Sequence, residues 1–327
     1  MKKISIIGGS GFLGTNLCEL FLESGQEFEI IDIKPSKRFN DYFKFGDVRD
    51  IQSLEKSITG EIIINLAAVH RDDVANAEDY FTTNVEGAKN VCLAATNKSI
   101  NLIIFTSSVA VYGLTKEPTG EDGSINPFND YGLSKFQAEE AYEAWNDSDK
   151  SNRLTIIRPT VIFGPGNRGN VYNLLNQINS RYFAMIGDGK NIKSLAYVKN
   201  VAAFLQYSLN YSAKLSIYNY VDKPDIKLMN FVLLARNQLK IESRLPKIPY
   251  FLGIFAGYIF DILSIILNRK LAITSFRIKK FTSSTHFLTS IDFNKFKPPF
   301  ELEDALSQTI RDEFIDRNGP SEVFYTE

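Results

Sequence analysis

The chain has 327 residues, of which 44% are hydrophobic and 23% are charged, and its formal net charge is −1. This length can bury a full core, in one large domain or in two smaller ones. The near-zero charge, without a basic stripe interleaved with aromatic residues, excludes nucleic acid as a binding partner.

The first predicted element is a strand at Ile4–Ile7, which leads through a glycine-rich turn into a helix over residues 15–22. The turn contains two overlapping patterns, G-x-G-x-x-G from Gly9 and G-x-x-G-x-x-G from Gly8. Glycines let the backbone turn tightly and approach a pyrophosphate, whose charge then faces free amides at the helix start. The segment therefore predicts dinucleotide binding, with a loop of some other α/β protein as the alternative.

The second predicted strand, Phe28–Asp32, ends in an acid about twenty residues after the glycines, where an acid can accept hydrogen bonds from a ribose. Such an acid repels a 2′-phosphate, so Asp32 favours NAD over NADP. Three cations that follow weaken this preference: Lys34, Lys37 and Arg38. A simple strand-end cap is the alternative role for Asp32.

Strands and helices continue to alternate, with apolar strands predicted at 42–48, 61–66 and 102–105 and a helix at 76–96. This alternation predicts an α/β fold with a doubly wound parallel sheet that binds ligands at the carboxyl ends of its strands. The small pair Ala67 and Ala68, directly after one strand, leaves room for a cofactor.

The spacing Tyr-x-x-x-Lys occurs twice, at Tyr112 and Lys116 and again at Tyr131 and Lys135. The first pair runs into a proline and a glycine, which stop a helix. The second follows a helix-start signal at Asn129 and runs into good helix formers, so only this pair shares a helix face.

Tyr131 is therefore the predicted proton carrier. A free tyrosine has a pKa near ~10, which a neighbouring cation such as Lys135 lowers by favouring the phenolate. Ser108, just after a strand, can hydrogen-bond the same substrate hydroxyl and orient it. Three unrelated surface residues are the alternative.

These motifs, in this order, resemble the extended short-chain dehydrogenase/reductase family of NAD-dependent sugar epimerases and dehydratases over nearly the whole chain. The resemblance implies that Ser108, Tyr131 and Lys135 are catalytic. It implies a Rossmann domain at 1–170, rejoined by 191–221, and a smaller α+β substrate domain from 171–190 and 222–327. The implied NAD contacts are Gly8, Gly11, Phe12, Leu13, Gly14, Asp32, Asp47, Val48, Leu66, Ala67, Ala68, Asn84, Tyr131 and Lys135.

Three longer strings, at 68–73, 167–172 and 218–225, resemble the branch of this family that acts on N-acetylglucosamine carried by a polyprenyl diphosphate. This resemblance implies a lipid-linked amino sugar as substrate and 4-epimerisation through a 4-keto intermediate for surface polysaccharide assembly. It implies substrate contacts at His70, Arg168 and Asn170.

Sugar-nucleotide epimerases commonly carry Arg-Asp-Tyr/Phe-Val-x-Val-x-Asp, whose arginine pairs with a diphosphate. We take the corresponding run here as 195–200, which places Leu195 at the arginine position and removes that bidentate contact. Lys193 or Arg168 is the alternative diphosphate ligand. Three alternative functions remain: a UDP-N-acetylglucosamine or UDP-glucose 4-epimerase, another nucleotide-sugar oxidoreductase, and a non-catalytic NAD-sensing module. A 4,6-dehydratase is disfavoured, because Val109 and Ala110 cannot supply the acidic side chains that such an enzyme usually carries just after the serine.

The stretch 249–268 is apolar apart from Asp261 and has helical spacing, and five cations follow it: Arg269, Lys270, Arg277, Lys279 and Lys280. Such a helix is typical of a segment that lies in a membrane interface. A buried helix or the face of a homodimer fits the same periodicity.

The remaining features concern redox state, metals and location. Cys18 and Cys92 fall in helical patterns and are predicted to be buried thiols rather than a disulfide. His70 and His286 have no second ligand at metal spacing, so we predict no metal site. Glycines interrupt the apolar start and no cleavage site follows, so we expect a cytoplasmic protein, with peripheral contact to the inner face of the membrane.

Overall fold

The computed structural model describes residues 2–71, 74, 76–115, 117–267, 274–316, 319–320 and 322–325. Several residues singled out above lie outside the described residues: Asp72, Asp73, Lys116, Asn268, Arg269 and Lys270. Among the described residues, no helix combines the length and the apolar character needed to cross a membrane.

The strands of the described chain are β1 (Ile4–Ile7), β2 (Phe28–Asp32), β3 (Phe43–Phe45), β4 (Ile62–Asn65), β5 (Leu102–Thr106), β6 (Arg153–Pro159), β7 (Val161–Phe163), β8 (Met185–Ile186), β9 (Ile192–Lys193), β10 (Leu195–Tyr197), β11 (Leu215–Tyr220), β12 (Ile226–Lys227) and β13 (Lys247–Ile248). Seven of them form a parallel sheet in the order β11-β6-β5-β4-β1-β2-β3. The order reverses direction at β1, as in a doubly wound Rossmann sheet, which confirms the predicted fold class.

The helices are α1 (Phe12–Ser24), α2 (Ile51–Ser57), α3 (Glu78–Tyr80), α4 (Gly87–Asn97), α5 (Asp130–Ser148), α6 (Asn170–Asn179), α7 (Val198–Ser208), α8 (Leu228–Gln238), α9 (Tyr250–Ile266), α10 (Ser275–Thr282) and α11 (Leu302–Ile310). Helical turns of 3₁₀ type lie at Asn40–Tyr42 and Val109–Tyr112, and wider π-turns at Phe81–Glu86 and Arg311–Ile315. The helix predicted at 76–96 is thus interrupted by a π-turn, a feature that is frequent at functional sites.

Two apolar layers cover the sheet, because its central strands bury side chains on both faces. Ile64 of β4 packs with residues of α1 and α7, whereas Ile63 packs with residues of α2, α4 and α5. Both cysteines are free and buried in these layers, as predicted. A third cluster joins β10 with α6, α8 and α11 and forms the core of the later part of the chain.

A buried ion pair ties α5 to the sheet. Arg158 of β6 donates from Nε and Nη2 to the two carboxylate oxygens of Glu139, at 2.9 and 2.6 Å, and the two side chains are only 5% and 1% exposed. Its Nη1 also donates to the Tyr112 hydroxyl, 2.6 Å away, which in turn donates to Asn219 of β11. The tyrosine of the first Tyr-x-x-x-Lys sequence is therefore a buried structural residue.

Replacing Arg158 by Leu is expected to lower the free energy of unfolding by about 3–5 kcal/mol, because Glu139 then remains buried and unpaired. Urea unfolding of the purified protein measures the loss. Lys89→Met, which breaks the exposed Lys89–Glu86 pair, is the matched control and is expected to cost less than about 1 kcal/mol. Equal small effects of both substitutions would contradict the structural role of the buried pair.

Candidate active site

A cavity of about 930 Å³ opens at the carboxyl ends of the sheet strands. Its wall contains most of the predicted site residues: Gly8, Gly11, Phe12, Leu13, Gly14, Asp32, Asp47, Val48, Leu66, Ala67, Ala68, His70, Ser108, Tyr131, Lys135 and Asn170. Two others, Asn84 and Arg168, are absent from this wall. Residues spread over about half of the chain therefore meet at the edge of the sheet where parallel α/β folds bind ligands.

The glycine turn forms a cradle that side chains would fill. Gly8 has a φ of +79°, and a Cβ there would lie 2.5 Å from the Ala67 nitrogen. A Cβ on Gly14 would lie 2.5 Å from the Gly9 Cα, so α1 can start this close to the turn only with glycine. The first turn of α1, all of it described, carries no acidic side chain, so its positive end is available to a pyrophosphate.

Asp32 lies at one end of the cavity, fixed by backbone amides. Its carboxylate accepts hydrogen bonds from the Ser10 and Lys34 nitrogens, each at 3.1 Å. Burial raises the pKa of Asp32, and these amide hydrogen bonds oppose that rise. Nearby, Arg49 binds both carboxylate oxygens of Asp47 and lowers the pKa of that carboxyl.

Three hydroxyls in the cavity wall lack a partner among the described residues. They belong to Thr106, Ser107 and Thr160, and each oxygen is buried. A buried hydroxyl without a hydrogen bond is costly, which indicates a polar ligand in the cavity. These hydroxyls, together with the glycine cradle and Asp32, fit a dinucleotide cofactor.

Close packing at the start of α5 brings Ser108 and Tyr131 into one wall. Asn129 caps the helix by accepting from the Gly132 nitrogen at 2.9 Å, and a Cβ on Gly132 would lie 2.6 Å from the Ala110 carbonyl oxygen. The Ser108 oxygen accepts from the Ala110 nitrogen at 3.1 Å, so its hydroxyl proton can be donated toward the cavity.

Lys135 lies one turn after Tyr131 and is almost fully buried. Its ammonium donates to the Thr106 carbonyl at 2.7 Å and lies 4.2 Å from the centre of the Phe105 ring. Burial lowers the pKa of Lys135 to about 7, although the carboxylate of Glu139 acts in the opposite direction.

Asn84 supports the cavity from behind. It lies in the π-turn Phe81–Glu86, exchanges two hydrogen bonds with the backbone of Val69 at 2.9 and 3.0 Å, and donates to the Ser134 hydroxyl at 2.9 Å. The structure therefore gives Asn84 a positioning role, holding the loop after β4 against α5, and its contact with the cofactor stays a prediction.

Arg168 has a partner outside the cavity. It donates to both carboxylate oxygens of Glu313 at 2.8 Å and lies 4.0 Å from the centre of the Tyr172 ring. Its charge is thereby neutralised, whereas the other two predicted substrate residues, His70 and Asn170, line the cavity.

The assignment of the family's arginine position to Leu195 is wrong. The family pattern Arg-Asp-Tyr/Phe-Val-x-Val-x-Asp is eight residues long. If its last residue is aligned with Asn200, the arginine position falls at Lys193 and not at Leu195. Leu195 is buried in the third apolar cluster and is not part of the cavity wall. Lys193 donates to the carbonyls of Lys280 and Ser283, at 3.2 and 2.8 Å, and is not part of the cavity wall.

The sequence analysis missed the far wall of the cavity, which comes from α10 and the residues after it: Phe276, Lys279, Lys280, Ser283, Ser284, Thr285 and Phe287. Lys279 and Lys280 were assigned to a membrane interface because they follow an apolar segment. No spacing rule connects them to the glycine turn, since only the tertiary fold brings the two together.

The fold and the cradle define a Rossmann enzyme that uses a dinucleotide cofactor. The model of the NAD-dependent epimerase/dehydratase family matches residues 4–220. The chain belongs to this family, and its cofactor is NAD.

Relatives and solved structures agree with this membership. The chain is 43% identical to an N-acetyl-α-D-glucosaminyl-diphospho-ditrans,octacis-undecaprenol 4-epimerase of Escherichia coli O157:H7, over 99% of both chains. It is 28% identical to a decarboxylating sterol-4-α-carboxylate 3-dehydrogenase of Candida albicans, over 95% of this chain and 97% of the relative. The solved UDP-Glc/GlcNAc 4-epimerase of Campylobacter jejuni superposes with a TM-score of 0.74 at 16% identity, covering 95% of this chain and 98% of that chain, and so shares the fold.

Asp32→Ala is expected to weaken NAD binding about 10- to 100-fold, the effect of removing a charged hydrogen-bond acceptor. NADP binding is expected to change less, because the group that repels a 2′-phosphate is gone. Titration of both cofactors measures the ratio, with the exposed Asp41→Ala as the control. An unchanged ratio would show that another residue sets cofactor preference.

Proposed function

We propose that this protein is an NAD-dependent 4-epimerase that interconverts N-acetylglucosamine and N-acetylgalactosamine on a polyprenyl-diphosphate carrier, in surface polysaccharide assembly. The observation that carries the proposal is the 43% identity to a 4-epimerase of that specificity along 99% of both chains. The convergence of Ser108, Tyr131 and Lys135 on one cavity supports an enzyme rather than a cofactor-sensing module.

The proposed chemistry assigns a step to each of these side chains. Tyr131 takes the proton from the sugar O4 and later returns it, and Ser108 orients the same hydroxyl by hydrogen bonding. Lys135, one turn away and buried, stabilises the tyrosine phenolate. NAD, when bound, supplies the hydride chemistry at C4 through which the sugar passes as a 4-keto form.

We propose that residues 1–170 and 191–221 hold the cofactor and that 171–190 and 222–327 hold the substrate. The joining of β11 to the main sheet and the separate apolar cluster around α6 and α8 support this division. His70 and Asn170 belong to the cofactor part by sequence but lie on the shared cavity wall, and they are the proposed sugar contacts.

The apolar face of α9 supports a position at the membrane surface. Glycines pack this helix inward, since a Cβ on Gly253 would lie 2.6 Å from Ile186 and one on Gly257 would lie 2.8 Å from Ser275. The opposite face leaves large apolar side chains in solvent, with Phe255 64% and Ile262 58% exposed. We propose that this face lies in the interface of the cytoplasmic leaflet, while a homodimer that covers it is the competing arrangement.

Tyr131→Phe is expected to retain the fold and bound NAD but to lose at least about 100-fold in turnover, because general acid–base catalysis typically contributes 10²–10⁴. A coupled assay of epimerisation measures the loss. Tyr112→Phe is the control with the same chemical change and is expected to reduce stability rather than turnover, since Arg158 and Asn219 lose a buried partner. Normal turnover by Tyr131→Phe would refute the assignment.

The double variant Phe255→Asp with Ile262→Asp is expected to lose vesicle binding and turnover of the lipid-linked sugar, because charges in the interface are costly. Turnover of a short-chain, water-soluble analogue is expected to persist. Leu22→Asp with Leu233→Asp, at exposed apolar positions outside α9, is the control.

Three outcomes would contradict parts of the proposal. Loss of both activities with lower stability would make α9 a core helix. A change from dimer to monomer without a change in vesicle binding would make it a dimer face. Equal turnover of UDP-N-acetylglucosamine and the lipid-linked sugar by the wild-type protein would refute the lipid carrier and favour the nucleotide-sugar epimerase.

A further inference from the structure

The part of the cavity wall that α10 contributes presents cations. Lys279 and Lys280 of α10 are exposed and line the cavity, and Ser284, which follows this helix, also lines it. The predicted cofactor residues and Tyr131 line the same cavity as these lysines, so one ligand can contact both parts of the wall. A surface of this kind attracts the anionic part of a substrate.

The end of α10 is built so that an anion is not repelled there. The last carbonyls of a helix carry partial negative charge, which disfavours phosphate. Here Lys193 donates to the carbonyls of Lys280 and Ser283, and the Asn191 amide donates to those of Phe281 and Ser283, at 3.0 and 3.1 Å. These bonds satisfy the helix end and add a third cation beneath it.

The side chains beside the lysines are held in fixed positions. The Ser284 oxygen accepts from the Ile192 nitrogen at 3.1 Å, so its proton can be donated to a ligand. Thr285 pairs with the backbone of β9 and the following residue at 2.9 and 2.8 Å. Burial, and the positive charge of Lys280, lower the pKa of Lys193 to about 8, as expected where several cations are brought together.

An apolar surface begins directly at these lysines. The exposed rings of Phe128 and Phe276 lie 6.5 Å apart and both border the cavity. The Lys279 ammonium lies 5.3 Å from the centre of the Tyr258 ring, which belongs to the exposed face of α9. The cations of α10 therefore border both the cavity that contains Tyr131 and the exposed apolar face of α9.

We propose that Lys279 and Lys280, with the Ser284 hydroxyl, bind the diphosphate of the substrate. Lys193, at the position of the family's arginine, lies outside the cavity wall, so the two lysines of α10 take over that contact. This inference rests on the proposed function, because an amphiphile with a sugar, a diphosphate and an apolar chain matches the three adjoining surfaces: the catalytic wall, the cations and the apolar face of α9. Lysine suits this role as a point charge that binds phosphate without a fixed bidentate geometry.

The test uses NAD-loaded protein, so that inorganic diphosphate cannot occupy the cofactor cradle, and a short-chain N-acetylglucosamine diphosphate in the absence of vesicles. The variant Lys279→Ala with Lys280→Ala is expected to raise KM about 10- to 100-fold and to change kcat less than about twofold, since two charged hydrogen bonds to the bound substrate are lost. Inhibition by inorganic diphosphate is expected to weaken by the same factor. Lys279→Arg with Lys280→Arg is expected to restore most of the affinity.

Two control variants separate a specific site from other effects. Arg277→Ala removes a cation of α10 that does not line the cavity, and Tyr258→Leu removes the ring beneath Lys279 but keeps the charge. Arg277→Ala is expected to keep KM within about twofold on the soluble analogue, as substitutions away from a contact do. Tyr258→Leu, which removes a neighbour of Lys279, is expected to raise KM less than the double alanine variant, because both lysine charges remain. An unchanged KM in the double alanine variant, or an equal rise in Arg277→Ala, would overturn the diphosphate site.

Calorimetry with inorganic diphosphate keeps this inference separate from the proposed function. One outcome supports the site but refutes the proposed function: the wild-type protein binds diphosphate and the double variant does not, while the wild-type protein epimerises no lipid-linked sugar. If wild-type NAD-loaded protein binds no diphosphate, the site is overturned, even where the lipid-linked sugar is turned over.

Discussion

The buried pair of Arg158 and Glu139 is the constraint on which the site depends. Glu139 lies one turn after Lys135 and two turns after Tyr131 on the same face of α5, so the pair fixes how that face meets the sheet. An unpaired charge at this depth would cost several kcal/mol, and both carboxylate oxygens of Glu139 are held by Arg158. The orientation of the proposed catalytic side chains therefore follows from an interaction that touches no ligand.

The same network extends toward the substrate end of the cavity. Tyr112 joins Arg158 to Asn219 of β11, and the Asn219 amide donates to the Leu288 carbonyl at 3.0 Å. Leu288 follows Phe287, which lines the cavity. Catalytic helix, sheet edge and substrate wall are thus held by one continuous set of buried polar contacts, in which each group is satisfied by its neighbour.

Helix α9 packs against the rest of the protein with one face and exposes large apolar side chains on the other. The small face of α9 lies against α10 and β8, where side chains larger than glycine would collide with Ile186 and Ser275. Asp261, the one acid of the apolar stretch, accepts from the Ser275 nitrogen at 3.2 Å and so helps to start α10. Close packing on one side leaves the large apolar residues on the other side, next to the cations of the cavity.

The sequence by itself determined the parts that depend on near neighbours along the chain. Glycine spacing predicted the cofactor cradle, and the position of Asp32 at the end of a strand predicted its contact with the ribose. The helix-start signal at Asn129 distinguished Tyr131 from Tyr112. Each of these features is local, because turns, caps and one-turn helix pairs involve residues close together in the chain. The tertiary structure alone decided that Asn84 holds Val69 and Ser134, that Arg168 belongs to Glu313, and that Lys279 and Lys280 reach the cavity. Each of these contacts joins residues far apart in the chain or across elements, where spacing carries no signal and only packing brings the partners together.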